Sequence, residues 1–195
     1  MVVALLCIAV GSALASPTTP IVNMNFISPG GPSANGEYTY PCLFTVDGKP
    51  AKLMCITLLN SITPGQTWQA YRYIVPELSG TGNGHGALMQ VAWLFEQEQG
   101  NHDDPAINWA AWAIIDPGID LSSVPGAAGW LAQAQSQTLT AGEFADVYVY
   151  VPTTWPNEGS PQVFLGSTPE PSTLMMLGSG VLGISVLLRK KFLNQ

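Results

Sequence analysis

Only a few residues in this 195-residue chain are of types that do chemistry. Cys42 and Cys55 flank Asp47-Gly48-Lys49-Pro50, a turn signal between two apolar runs. With Gly48-Lys49 as a two-residue loop, Val46 pairs with Ala51 and Cys42 falls directly opposite Cys55. Directly opposed residues hold their Cβ atoms about 4.5–5.5 Å apart, close to disulfide range. A Cys42–Cys55 bridge is therefore expected, the alternative being two buried free thiols. His85 lies in a glycine-rich stretch and His102 in Asn101-His102-Asp103-Asp104. A hydrolase built on His and Asp needs an activated nucleophile beside them. No Gly-x-Ser-x-Gly is present, and bridged cysteines leave no thiol. His102 with Asp103 could bind a metal, but adjacent side chains diverge and no third ligand is evident. No cofactor and no metal site are expected. Glu96 and Glu98 fall on different helix faces and form no carboxylate pair of the kind glycosidases use. The expectation is a protein that is not an enzyme. Trp68, Tyr71 and Tyr73 lie along one strand, where Tyr71 and Tyr73, two residues apart, share a face and, if exposed, offer rings for a sugar to stack on.

The elements that position these residues follow from pattern. An apolar patch at Ile21 to Ile27 is strand-like; Glu37–Val46 and Ala51–Asn60 form the hairpin; Thr67–Val75 reads as a third strand. Ser79 to Gly86 reads as a loop. Ala87 to Gln99 carries Leu88, Val91, Ala92, Leu94 and Phe95 at helical spacing, with Gly100 as a stop. Asp104-Pro105 starts a second helix, Asp as N-cap and Pro at the first position, and the helix continues to Ile115. Gly126–Gln137 is a third, weaker helix. Trp93, Trp109 and Trp112 are expected to form an aromatic core where these helices pack. Asp146–Val151 alternates as a strand, with Val147, Val149 and Val151 on one face, and Gln162–Leu165 is the last strand. The fold class is α+β: antiparallel strands with two to three helices inserted in the middle.

Composition excludes one class of partner. Between Ser16 and Thr168 stand twelve acidic and three basic residues (Lys49, Lys52, Arg72), a formal charge near −9 from those two counts. Nucleic-acid binding needs a cationic footprint, so it is not expected. Neutral polar side chains do most of the surface work. No repeat at solenoid or propeller period is visible, and no ladder of Thr-x-Thr units appears.

Both ends read as targeting segments. Met1 to Ala15 is almost wholly apolar and ends Ala13-Leu14-Ala15, a small-x-small pattern suited to signal peptidase, with cleavage expected after Ala15. No Lys or Arg precedes the apolar run, which departs from the usual n-region. At the other end, Pro169-Glu170-Pro171 is followed by an uncharged apolar run from Leu174 to Leu188 and then Arg189-Lys190-Lys191. As a helix that run reaches about 22 Å, short of a bilayer core of about 30 Å, a mismatch that thinning and snorkelling absorb at modest cost. Cations after the run place the C-terminus in the cytoplasm and the bulk of the chain outside. The expected organisation is a signal peptide at 1–15, an α+β ectodomain at 16–166, and a sorting tail at 167–195 with a transmembrane helix at about 173–188.

In this order, the tripeptide, the apolar run and the basic stop resemble the PEP-CTERM sorting signal of Gram-negative envelope proteins, a tail also labelled an ice-binding-protein C-terminal domain. The resemblance implies that Pro169, Glu170 and Pro171 are recognised by an exosortase-like membrane protease that releases or transfers the ectodomain. It implies transient membrane anchoring, with Arg189, Lys190 and Lys191 as the stop, and delivery to the cell surface or exopolysaccharide matrix. A structural or adhesive role is then expected, with a carbohydrate-binding module as the alternative.

A second, distant resemblance covers the ectodomain. Gly36-Glu37-Tyr38, Thr45-Val46-Asp47-Gly48, Leu53-Met54-Cys55, Trp68-Gln69-Ala70 and Ile107-Asn108-Trp109-Ala110-Ala111-Trp112 are similar to the pattern of Gram-positive surface thioester domains. In that family a Cys and a Gln side chain condense into a thioester that captures amines, making a covalent adhesin. Cys55 matches the cysteine, but Asn108, one methylene shorter, stands where the glutamine belongs, and Ile56-Thr57-Leu58 replaces the usual acidic pair.

Overall fold

The computed structural model describes residues 19–58, 61–79, 85–100, 104–157 and 159–167. The expected signal peptide, its Ala13 and Ala15, the Pro169–Pro171 motif, the apolar tail and its Arg189–Lys191 stop all lie outside the described residues. Among the described residues, no helix is long and apolar enough to cross a membrane.

Alternation at a period of two builds the strands. In β1 (Ile21–Pro29), Val22, Met24 and Phe26 are buried while Ile21 and Ile27 are exposed. β4 (Cys42–Val46), β5 (Lys49–Cys55), β6 (Thr67–Ile74), β7 (Val147–Pro152) and β8 (Phe164–Ser167) complete a closed antiparallel barrel in the order β1-β4-β5-β8-β7-β6. A small hairpin, β2 (Ser33–Ala34) with β3 (Glu37–Tyr38), stands apart from it. Among the described residues, four α-helices and a short 3-10 helix (Ala141–Phe144) lie between β6 and β7, the α-helices being α1 (Val75–Ser79), α2 (His85–Gly100), α3 (Pro105–Ile115) and α4 (Ala127–Ser136). The α+β class and the central helical insertion are as expected. The α1 helix is an addition, formed just before the stretch read as a loop. Glu37–Tyr38 belongs to the small hairpin, not to β4.

The turn between β4 and β5 corrects the expected register. Its two central residues are Asp47 and Gly48, at φ 47° and 76°. A type I′ turn needs positive φ at both positions, which Asp-Gly accepts and Gly48-Lys49 would force on a lysine. Val46 therefore pairs with Lys49 and Cys42 with Leu53. Cys55 lies two residues further along the same face, a diagonal neighbour of Cys42 about 7–8 Å away rather than its partner. Both cysteines are free and buried, so the expected bridge is absent.

Phe44 sits at the centre of the barrel interior, its ring 4.7 Å from Phe164, 5.2 Å from Phe26 and 5.8 Å from Trp68. A second core forms outside the barrel wall, where Val147 and Val149 of β7 pack with Leu94 and Phe95 of α2. The α3 helix joins the two. Apart from Asn108 it buries apolar side chains on both sides: Ala106, Trp109 and Trp112 pack with the barrel interior, while Ile107, Ala110 and Ala111 pack with the outer core. Asp104 caps it as expected, accepting from the amide of Ala106 at 3.0 Å. The three tryptophans do not form one core. Trp109 and Trp112 lie 5.3 Å apart, whereas Trp93 faces Trp130 of α4 at 6.3 Å. Trp93 packs with the outer core, and Trp109 and Trp112 with the barrel interior.

Candidate functional site

Three places bring chemistry-bearing residues together: a buried junction at Cys55, a cavity floored by the two thiols, and the outward face of β1 and β6.

The junction is built by α3. Asn108 and Trp112 are four residues apart and therefore on one helix face. Asn108 Nδ2 and Trp112 Nε1 both donate to the carbonyl of Cys55, at 2.9 and 2.8 Å. Asn108 Oδ1 accepts from the backbone amide of Tyr40 at 3.0 Å. The Cys55 thiol points elsewhere and donates to the carbonyl of Thr57 at 2.9 Å. Asn108 and Cys55 thus meet, but through the backbone carbonyl of the cysteine. The amide of Asn108 is spent on holding β5 and the Tyr40 segment to the helix, a geometry that gives no thioester.

Burial pushes the Cys42 thiol up to about 12, and it pushes Cys55 higher still, with Cys42 adding to the effect. Neither is a thiolate at neutral pH, so neither has the reactive form of a catalytic cysteine. Both line a cavity of about 410 Å³ at one end of the barrel, with Phe26, Ile62 and Trp112 as apolar walls and Glu37, Tyr38 and Gln162 at its polar side. Tyr38 is 57% exposed at this cavity.

The other candidates separate. Glu96 is exposed, while Glu98 is fully buried; burial first, and Glu98 second, raise the Tyr40 hydroxyl above its usual range. His85 is the first residue of α2; His102 lies outside the described residues. Among the described residues, no group of three or more His, Cys, Asp or Glu side chains is placed to hold a metal.

On the outward face, Tyr71 and Tyr73 share one side of β6, half-buried, with ring centroids 6.2 Å apart. The intervening Arg72 turns the other way and lays its guanidinium 5.1 Å from the centre of the Tyr148 ring. Beside the tyrosines, Asn23 pairs with Gln69 and Asn25 with Thr67 across β1 and β6. These amides went unremarked in the sequence. Their signal was available: Asn23 and Asn25 occupy the alternate positions to Val22, Met24 and Phe26.

Residues 167–191 match the PEP-CTERM protein-sorting motif. The chain carries a PEP-CTERM sorting signal. The match takes in Pro169-Glu170-Pro171 and Arg189-Lys190-Lys191. A PEP-CTERM signal implies export, membrane association before processing, and processing by an exosortase-type membrane protease. Neither curated proteins nor solved structures give a match, so the likeness of the ectodomain to thioester domains has no support beyond the residues that carry it. The first residue of the PEP-CTERM match, Ser167, is also the last residue of β8, paired with Val147. The segment given above as the sorting tail, 167–195, therefore begins inside the barrel wall.

Proposed function

We propose that this is a non-enzymatic protein of a Gram-negative cell envelope, exported by signal peptidase cleavage after Ala15. An exosortase-like protease then processes it at Pro169–Pro171, and it serves as a structural or adhesive component of the surface or exopolysaccharide matrix. The PEP-CTERM match carries the reading. The test is fractionation of the native host with and without its exosortase. Processed protein in the surface or matrix fraction of the wild type, and full-length protein held in the membrane of the deletion strain or of a Glu170→Ala variant, support it. Full-length protein in the cytosol of the wild type overturns it.

A second reading is a carbohydrate-binding module. It is favoured by the placement of Tyr71 and Tyr73 side by side on the outward face of β6. Aromatic faces of this kind give a large apolar contact area with a polar hydroxyl at the end, which suits the mixed surface of a sugar.

A further inference from the structure

We infer that the outward face of β4, β1 and β6 is a binding cleft for an uncharged polysaccharide chain, in which the tyrosine pair forms one end and a set of amide and hydroxyl side chains forms the other. The inference rests on the carbohydrate reading and assigns it a site. A cleft of about 270 Å³ runs along this face, lined by Asn23 and Asn25 of β1, Thr45 of β4, and Thr67 and Gln69 of β6. The ladder sets these side chains opposite one another: Asn23 against Gln69, and Asn25 against both Thr67 and Thr45. Tyr71 follows Gln69 on the same side of β6 and lies opposite Ile21, which is 51% exposed.

Three observations point to a neutral glycan. First, no side chain lining the cleft is charged. Asp47, next to Gly48 of the lining, is turned back onto β1, where its Oδ1 accepts from the backbone amide and from Nδ2 of Asn23 at 2.9 and 3.2 Å. Second, among the described residues, the side chains of Asn25, Thr45, Thr67 and Gln69 make no hydrogen bond to protein. Each amide keeps both donor and acceptor capacity, which matches the paired hydroxyls of a sugar ring. Third, the ectodomain carries a formal charge near −9, from twelve acids and three bases, so an anionic polymer would be repelled. From Thr67 to Tyr73 the strand covers about 20 Å, enough for several sugar rings laid end to end. The tyrosines supply apolar faces and the amides fix orientation, the usual division of labour in a ligand site.

Affinity electrophoresis tests this directly. The full chain, in mild detergent, is run through native gels containing hydroxyethyl cellulose, dextran or alginate. Retardation by at least one of the two neutral polymers and not by alginate is expected. Tyr71→Ala, and Gln69→Ala combined with Asn25→Ala, should each weaken it about tenfold, and Tyr38→Ala, at the thiol-floored cavity, should leave it unchanged. Gln69→Glu, isosteric and at an exposed position, guards against misfolding and should weaken it equally. Retardation that survives the β6 variants but is lost in Tyr38→Ala overturns this site while leaving the carbohydrate reading standing. No retardation by either neutral polymer, or equal retardation by alginate, overturns both.

Discussion

Asn108 holds Cys55 by its carbonyl and Tyr40 by its amide, with hydrogen bonds of 2.9 and 3.0 Å from a side chain that is wholly buried. One carboxamide thereby satisfies a backbone acceptor at the end of β5 and a backbone donor ahead of β4. It is the only polar residue buried within α3, and it fixes how that helix seats on the barrel.

Asn108→Ala should therefore destabilise the domain by about 1–3 kcal/mol, because a buried donor at Tyr40 loses its partner. Asn108→Gln should also cost about 1–3 kcal/mol, since an extra methylene must enter filled space. Urea unfolding followed by tryptophan fluorescence measures both. A change below about 0.5 kcal/mol for the alanine variant would show that the junction is dispensable.

The thiols predict a pH dependence. Cys42 is raised from 9.0 to about 12 in the folded protein, with burial as the largest cause. Between these values the unfolded chain has lost the proton that the folded chain keeps, so fewer protons are bound in the unfolded state and stability falls as pH rises. The contribution is complete below about pH 9 and is lost through about pH 12. Melting temperatures should decline across this window, and Cys42→Ala should make the decline shallower. Equal slopes for the two proteins would contradict the buried, protonated thiol.

Alkylation provides an independent reading of the same state. At pH 8 iodoacetamide should modify Cys42 and Cys55 of the native protein at least about a hundredfold more slowly than in urea, since the thiolate is the reacting species. Mass spectrometry of timed samples follows this. Rapid labelling of either cysteine in the native state would count against it.

The hairpin turn is sensitive at one atom. Gly48→Ala places a side chain at φ 76° and should cost about 1 kcal/mol. Asp47→Asn should be nearly neutral, because Asn tolerates positive φ as well as Asp does. Thermal melts of both variants decide the matter. A Gly48→Ala protein as stable as the parent would mean that the register is held by the barrel alone.

Much of this architecture was legible from pattern. The strand at β7 follows from alternation, those at β1 and β6 from apolar, aromatic and β-branched content, and the Asp104-Pro105 start of α3 from capping chemistry, because all depend on neighbours in sequence. The thiol pair was misread for a local reason: a one-residue choice in the turn, Asp47-Gly48 over Gly48-Lys49, moves the opposite partner by two. Closure of the barrel was not legible, since the β5–β8 and β1–β6 pairings join residues far apart in sequence. The neutral face of β1 was visible in the alternation of Asn23 and Asn25 but acquires meaning only once Gln69 and Thr67 stand beside it. Asn108 lay in the matched stretch of the thioester resemblance, yet its role is to fasten a helix, and nothing in the spacing distinguished these uses.

The shared position of Ser167, last in the ladder and first in the sorting signal, sets a short leash. Only three residue steps separate it from Glu170, a contour of about 10 Å at full extension. Any protease that grips Pro169–Pro171 must work almost against the wall of the folded barrel, and the product it leaves would carry hardly any trailing chain beyond β8.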